Sequence, residues 1–266
     1  MREHPEIRIT VLGSGTSVGV PSIGCACKVC RSPDPRDKRL RPSILIGYQG
    51  RNVLVDTTPD FRQQALRSGI ERLDAILLTH SHADHVLGLD DVRPFNHMQR
   101  DVIPLYGSEA TLRDVRQRFD YIFHGAASQS SRPKLECRVF DGAEFDLFGL
   151  PFQPVRASHG EGVVWGFRFG PAAYMTDHSD IPDASMELLR DLDVLFLDAL
   201  RYKPHPTHST VGRSLGCVER LKPRRAFFTH ICHDLEHARA ESLLPAHVRL
   251  AFDGLEIVVE ERRNAG

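Results

Sequence analysis

No run of apolar residues in this 266-residue chain approaches the roughly 18 needed to cross a bilayer, so a membrane-spanning helix is not expected. The opening Met-Arg-Glu-His-Pro-Glu lacks the apolar centre of a signal peptide, and the cytoplasm is the expected compartment. Neither sign of charge dominates. Lys and Arg number 34 and Asp and Glu 35, so no global field draws the chain to nucleic acid or to an anionic membrane. A linker, an internal repeat and a low-complexity block are all missing, which predicts a single domain over residues 1–266. Six cysteines could make three disulfides, but a cytosolic chain of this size needs none.

What is present is a series of short β-rich runs, clearest at Ile7–Leu12, Ser43–Tyr48, Asn52–Asp56, Ala75–Thr79, Pro151–Ser158, Val163–Phe169, Ala172–Thr176, Val194–Asp198, Ala226–Thr229 and Glu256–Glu260. Helical patterns lie at Asp60–Ser68, Ser108–Phe119, Ala184–Asp191, Thr210–Leu221 and Asp234–Leu243. Several strands precede the first helix, so a simple alternating βαβ sheet fits poorly. Two sheets packed face to face with helices outside fit better, an α/β class. Gly13, Gly15 and Gly19 follow the first strand, but their spacing and the following Pro21 disfavour a dinucleotide site; a tight loop beside the functional site is expected. The charge-dense Arg31–Pro42 reads as a solvated loop, its arginines diluted by Asp34 and Asp37. Cys137, Cys217 and Cys232 read as small buried apolar residues.

The chemistry concentrates after Ala75-Ile76-Leu77-Leu78, in T-H-S-H-A-D-H, which carries His80, His82, Asp84 and His85. Chance would produce that spacing in only about three chains per thousand of this composition. His80 and His82 sit two apart, so in extended geometry they face one way, and Asp84 and His85 follow after a turn. Imidazole and carboxylate suit Zn, Mn or Fe, and the set alone does not choose among them. One cluster cannot fill two coordination spheres. His159, Asp177 and His230 each end an apolar strand-like run, where loops can build a site.

With those residues in that order the chain resembles the metallo-β-lactamase superfamily of binuclear hydrolases. The resemblance implies a four-layer αββα sandwich with its site at one sheet edge. It also implies that His80, His82 and His159 hold one divalent metal, that Asp84, His85 and His230 hold the other, and that Asp177 bridges. Asp56, ending Val-Leu-Val-Asp, resembles the buried aspartate that orients ligands from behind. Gly24-Cys25-Ala26-Cys27-Lys28-Val29-Cys30 places three thiolates in a loop at 24–30, a spacing that reads as metal ligation. A tetrahedral structural zinc needs a fourth ligand, and His233 is the obvious donor. This pattern is similar to the phosphoribosyl 1,2-cyclic phosphate phosphodiesterases of the carbon–phosphorus lyase pathway and their relatives. His208, in Pro-His-Pro-Thr-His-Ser-Thr, matches that family's non-ligand histidine, placed to protonate the leaving oxygen, and Ser209 or Thr210 would cap the next helix. His205 could approach the site; His178 and His237 receive no role.

The resemblance therefore implies hydrolysis of a small or cyclic phosphodiester by a hydroxide held between two cations (Mn or Zn), with His208 and Asp84 as catalytic residues and one further, structural zinc. Its implied partners are a small-molecule substrate, neither nucleic acid nor membrane, and a second copy in a homodimer. Rivals within the superfamily are an RNA 3′-end-processing nuclease, a thioester or lactone hydrolase, and an accessory protein of pyrroloquinoline quinone synthesis. His82 argues against the di-iron redox branch, and Asp177 against the main antibiotic-hydrolysing branch. A non-catalytic zinc scaffold would show a lost ligand, and none is lost.

Overall fold

The computed structural model describes residues 5–123 and 131–260. Met1–His4, where the leader expectation in part rests, lie outside the described residues. Among those residues two seven-stranded sheets form. The first runs β14 (Glu256–Glu260), β1 (Glu6–Gly13), β2 (Ser43–Tyr48), β3 (Arg51–Val55), β4 (Ala75–Leu77), β5 (Ile103–Gly107), β6 (Leu135–Val139). The second runs β13 (Val248–Leu250), β12 (Arg225–Thr229), β11 (Val194–Asp198), β10 (Ala172–Met175), β9 (Gly162–Phe169), β8 (Leu150–His159), β7 (Phe145–Leu147). In each sheet three antiparallel pairings give way to three parallel ones. Parallel neighbours end at the same edge, so β3, β4, β10, β11 and β12 bring their C-terminal residues to common ground.

Strand alternation sorts the side chains into layers. Ile7, Ile9 and Val11 of β1 meet Phe152, Phe167 and Phe196 between the sheets. Leu12, Leu54 and Ile76 point the other way, against α1 (Phe61–Arg67), α3 (Arg93–Gln99) and α4 (Glu109–Arg118) through Phe61, Phe95 and Leu112. Val155, Leu195 and Phe228 cover the opposite side with Met186, Val218 and Ala240 of α6 (Asp183–Glu187), α7 (Val211–Leu221) and α8 (His237–Glu241). The result is the expected αββα sandwich. Each large apolar side chain withdrawn from water contributes about 1.5–3 kcal/mol, which favours three apolar layers over one. No helix of the described residues is long and apolar enough to cross a membrane.

Several elements depart from the sequence pattern. Strand β5 was hidden by Pro104, and β6, β7 and β13 by mixed polarity. Residues 89–96, which follow the metal motif, fold as a 3-10 turn, Leu89–Val92, leading into α3 with Pro94 in its first turn, and bury Leu89, Val92 and Phe95. The helices expected at Ala184–Asp191 and Asp234–Leu243 shrink to α6 and α8. Cys137, Cys217 and Cys232 are half-buried rather than buried. The largest correction concerns Arg31–Pro42. Instead of a solvated loop it carries Arg39 and Asp37, both almost wholly buried, 2.9 Å apart. Arg39 also donates to the carbonyls of Arg36, Cys232 and Leu235 at 3.2, 2.9 and 2.7 Å. A guanidinium with its donors met in this way can leave water.

Candidate metal centre

His80 and His82 follow β4, and His82, in extended backbone, opens the single turn α2 (Ala83–Val86), which carries Asp84 and His85. The ligand atoms of His80, His82 and His159 lie within 4.8 Å of one another, as do those of Asp84, His85, Asp177 and His230. Asp177 Oδ2 stands between the two sets, 3.3 Å from His85 Nε2, 3.3 Å from His230 Nε2 and 4.0 Å from His80 Nε2. All seven residues expected from the sequence are thus brought together. Asp177 and His230, and Asp56 behind them, adopt left-handed backbone with φ of 56°, 55° and 66°. That conformation costs roughly 1–2 kcal/mol per non-glycine residue, and its clustering marks a place where position outweighs strain.

Hydrogen bonds fix which nitrogen each imidazole presents. His85 Nδ1 donates to Asp56 Oδ2 at 2.7 Å, and Asp56 accepts from the Thr79 amide and hydroxyl at 2.9 and 2.8 Å. His80 Nδ1 donates to Thr79 Oγ1 at 3.0 Å, and His159 Nδ1 to the Thr207 carbonyl at 2.9 Å. Each Nε2 is left facing the cluster. Among the described residues His80 Nε2, His85 Nε2 and both ring nitrogens of His230 are buried with no hydrogen-bond partner. An unmet buried polar atom costs about 1–3 kcal/mol, and several aimed at one place fit a cation that would receive them.

Electrostatics agree with that fit. Burial lowers His80 well below its ordinary value and lowers His230 to about 4, so both are neutral and able to ligate at pH 7. Burial works the same way on His85, but Asp177, Asp56 and Asp84 converge on it and lift it well above its usual value. Burial would raise Asp177, yet the facing His230 and His85 hold it well below the carboxylate range. Carboxylate charge gathers here beyond what neutral imidazoles can offset.

His208 stands over the junction, its ring stacked on His230 at 4.5 Å and edge-on to His159 at 4.9 Å. Its Nδ1 donates to Asp198 Oδ2 at 2.8 Å. Burial holds His208 below its ordinary value against the pull of Asp177 and Asp84. Asp198 is the residue that sequence reasoning missed, although it ends an apolar strand just as Asp177 does. Thr210, not Ser209, caps α7, accepting from the Arg213 amide. His205 lies beside His208, ring centroids 5.0 Å apart, whereas buried His178 and His237 belong to neither ligand set.

A second cluster joins Cys25, Cys27, Cys30 and His233, with ligand atoms also within 4.8 Å. His233 Nδ1 lies 3.3, 3.7 and 3.4 Å from the three sulfurs. Zinc bonds of about 2.3 Å to sulfur and 2.1 Å to nitrogen give a tetrahedral edge of about 3.6 Å, so a zinc ion fits. The amides of Cys30 and Ser22 donate to Cys27 and Cys30 Sγ, both at 3.4 Å, as suits thiolates. The Cys27 thiol is lowered by the Cys30 amide, while burial raises Cys30 to about 11 without metal. Residue Gly15 pairs with Ile231, next to His230, and a Cβ there would lie 2.8 Å from the Arg39 carbonyl. The glycine loop therefore does border the site.

Comparison with known proteins agrees with this architecture. Residues 51–231 match the model of the β-lactamase superfamily domain. A solved diphosphatase of the PhnP family is 53% identical, with a TM-score of 0.91 over 96% of this chain and 98% of its own. An octanoyltransferase of Porphyromonas gingivalis is 38% identical over 259 residues, 96% of this chain but 52% of that protein. Zinc-bound PqqB from Methylobacterium extorquens, 20% identical with a TM-score of 0.76 over 94% of this chain and 99% of its own, shares the fold. The chain spans about half the length of the curated relatives it matches.

Proposed function

The chain belongs to the β-lactamase superfamily as a PhnP-like, metal-dependent hydrolase, and from that premise we propose that it cleaves a small-molecule phosphate carrying two ester or anhydride substituents. The observation that carries this reading is the Asp198–His208 pair poised over two ligand sets that meet at Asp177. His80, His82 and His159 would hold one divalent cation, Asp84, His85 and His230 the other, with Asp177 shared. Cys25, Cys27, Cys30 and His233 would hold a structural zinc. When bound, the paired cations supply a lowered pKa for attacking water and neutralise charge on the phosphoryl oxygens.

The chain's own residues do the rest. Asp56 and Thr79 keep His85 and His80 in the ligating tautomer, and Thr207 does so for His159. His208 carries a proton on Nε2 to the departing oxygen, while Asp198 accepts from Nδ1 and stabilises the imidazolium that makes this possible. Asp84 would orient the attacking water by accepting a hydrogen bond from it. The 53%-identical PhnP-family diphosphatase favours a phosphoanhydride among the candidate bonds. The name octanoyltransferase belongs to a protein that this chain covers only by half, and acyl transfer enters the test as a competing outcome.

The test is a panel of cyclic phosphodiesters, linear phosphodiesters, diphosphate diesters and an octanoyl thioester, each given to Mn- and Zn-loaded protein. Turnover of the phosphorus substrates, lost by at least 100-fold in His208→Ala, is expected. Turnover of the thioester alone would refute the assignment.

A further inference from the structure

A cleft of about 880 Å3 leads away from His80, His82 and His159 and is far larger than one phosphoryl group requires. One wall comes from the first-sheet side, through Ser108–Thr111 and Asp114 ahead of and within α4 and through Val139–Asp141 at the end of β6. The other comes from β8 and β9, through Arg156, Val163 and Trp165. Arg156 pairs in register with Trp165, three residues or about 10 Å back along β8 from His159. By strand alternation it shares the inter-sheet face of β8 with Phe152, yet it is exposed where the cleft opens. Its guanidinium makes no hydrogen bond or ion pair among the described residues, unlike the paired Arg36, Arg138 and Arg190. Trp165 packs edge-on against buried Phe140 at 5.4 Å, which holds the indole at the cleft wall.

The remaining lining limits the ligand. Glu109, Asp114 and Asp141 also face the cleft, so a polyphosphate along its whole length would be repelled. Asp114 is occupied by the Ser81 hydroxyl at 2.7 Å, while Glu109 has no partner among the described residues. Carboxylates accept from hydroxyl and amino groups. One free cation, one rigid aromatic wall and acceptors beyond the metal ligands are together the complement of a phosphate, a sugar and a planar base.

We propose that this cleft is a nucleoside subsite: Arg156 binds the second phosphate of a nucleoside diphosphate moiety, Trp165 stacks on the base, and Glu109 and Asp141 accept from the sugar hydroxyls. The proposal rests on the phosphohydrolase reading above and names its substrate class. An arginine held free beside an aromatic is suited to both forked phosphate contact and stacking.

Trp165 is the sole tryptophan of the chain, so its emission reports on this cleft alone. Metal-loaded protein is titrated with ADP, inorganic diphosphate and adenosine. Saturable quenching by ADP, with little from inorganic diphosphate, is expected. Arg156→Gln should weaken ADP about 10- to 100-fold, the worth of a charge-assisted contact, and Arg156→Lys should recover part of it. In turnover, the rise in KM caused by Arg156→Gln should be at least tenfold greater for a nucleoside diphosphate ester than for bis(p-nitrophenyl) phosphate. Absence of ADP quenching in protein that hydrolyses bis(p-nitrophenyl) phosphate overturns the subsite, as does equal loss on both substrates. Quenching with the expected Arg156 dependence in protein that hydrolyses no phosphorus ester supports the subsite and instead counts against the reaction.

Discussion

Replacing Asp198 by Asn removes the carboxyl that faces His208, a group that burial and the nearby Asp177 push well above its ordinary value, and leaves the volume unchanged. Asp198 Oδ1 accepts from the Leu200 amide at 3.0 Å, and the Asn carbonyl can keep that bond. The amide NH2 then faces His208 Nδ1, 2.8 Å away in the native pair, and imposes the opposite tautomer. A hydrogen bond to a charged partner contributes about 1.5–3 kcal/mol. Lost from the imidazolium alone, that amounts to about 10- to 100-fold in kcat at 1.36 kcal/mol per decade. It also moves the pH limb that needs protonated His208 toward acid. The assay compares an alkyl phosphodiester, whose leaving group needs the proton, with a p-nitrophenyl diester, whose leaving group does not. Metal content by mass spectrometry and the thermal midpoint are measured alongside. The loss should fall on the alkyl substrate, with metals retained. Equal loss on both substrates, or loss of metal from the variant, would refute the proton-donor role.

Three further perturbations probe the scaffold. Cys27→Ser should lower zinc content by one ion per chain and reduce activity through the loop that leads from His230 to His233; unchanged stoichiometry by elemental analysis would remove the structural zinc. Arg39→Met strands the Asp37 carboxylate and the carbonyls of Cys232 and Leu235 in the interior, at an expected cost of about 3–5 kcal/mol in urea denaturation; a loss below about 1 kcal/mol would show that this pair is solvated. His237, buried beside Phe252 and depressed to about 4 chiefly by burial, is held neutral in the fold but protonates near 6.5 when unfolded. Its stabilising contribution is therefore full above about pH 6.5 and is lost as pH falls toward 4, about 2 kcal/mol of it between pH 7 and 5. His237→Phe should flatten the pH dependence of the unfolding free energy by that amount, and an unchanged slope would sink the idea.

Much of the architecture and the candidate centre was legible because the relevant information is local in the chain. His80 and His82 share a face through their spacing alone, and Asp177 and His230 announce themselves as polar residues ending apolar runs. Cys25, Cys27 and Cys30 crowd into six residues that a single loop must gather. Layering into two sheets followed from where strands outnumber helices. Asp198 ends its strand with the same local signature as Asp177, but only the parallel register of β10, β11 and β12 brings it beneath His208. Arg39 reads as a loop cation until the turn from His230 to Leu235 closes over it and offers carbonyls in place of water. The cleft wall was hidden with β5 and β6, whose polarity and Pro104 mask the pairing that places Ser108 and Val139 opposite Arg156 and Trp165. Spacing along the chain determined which side chains could ligate together. Which of them share a proton, lose their water or face a substrate was decided by packing between sheets, because those free energies depend on neighbours distant in sequence.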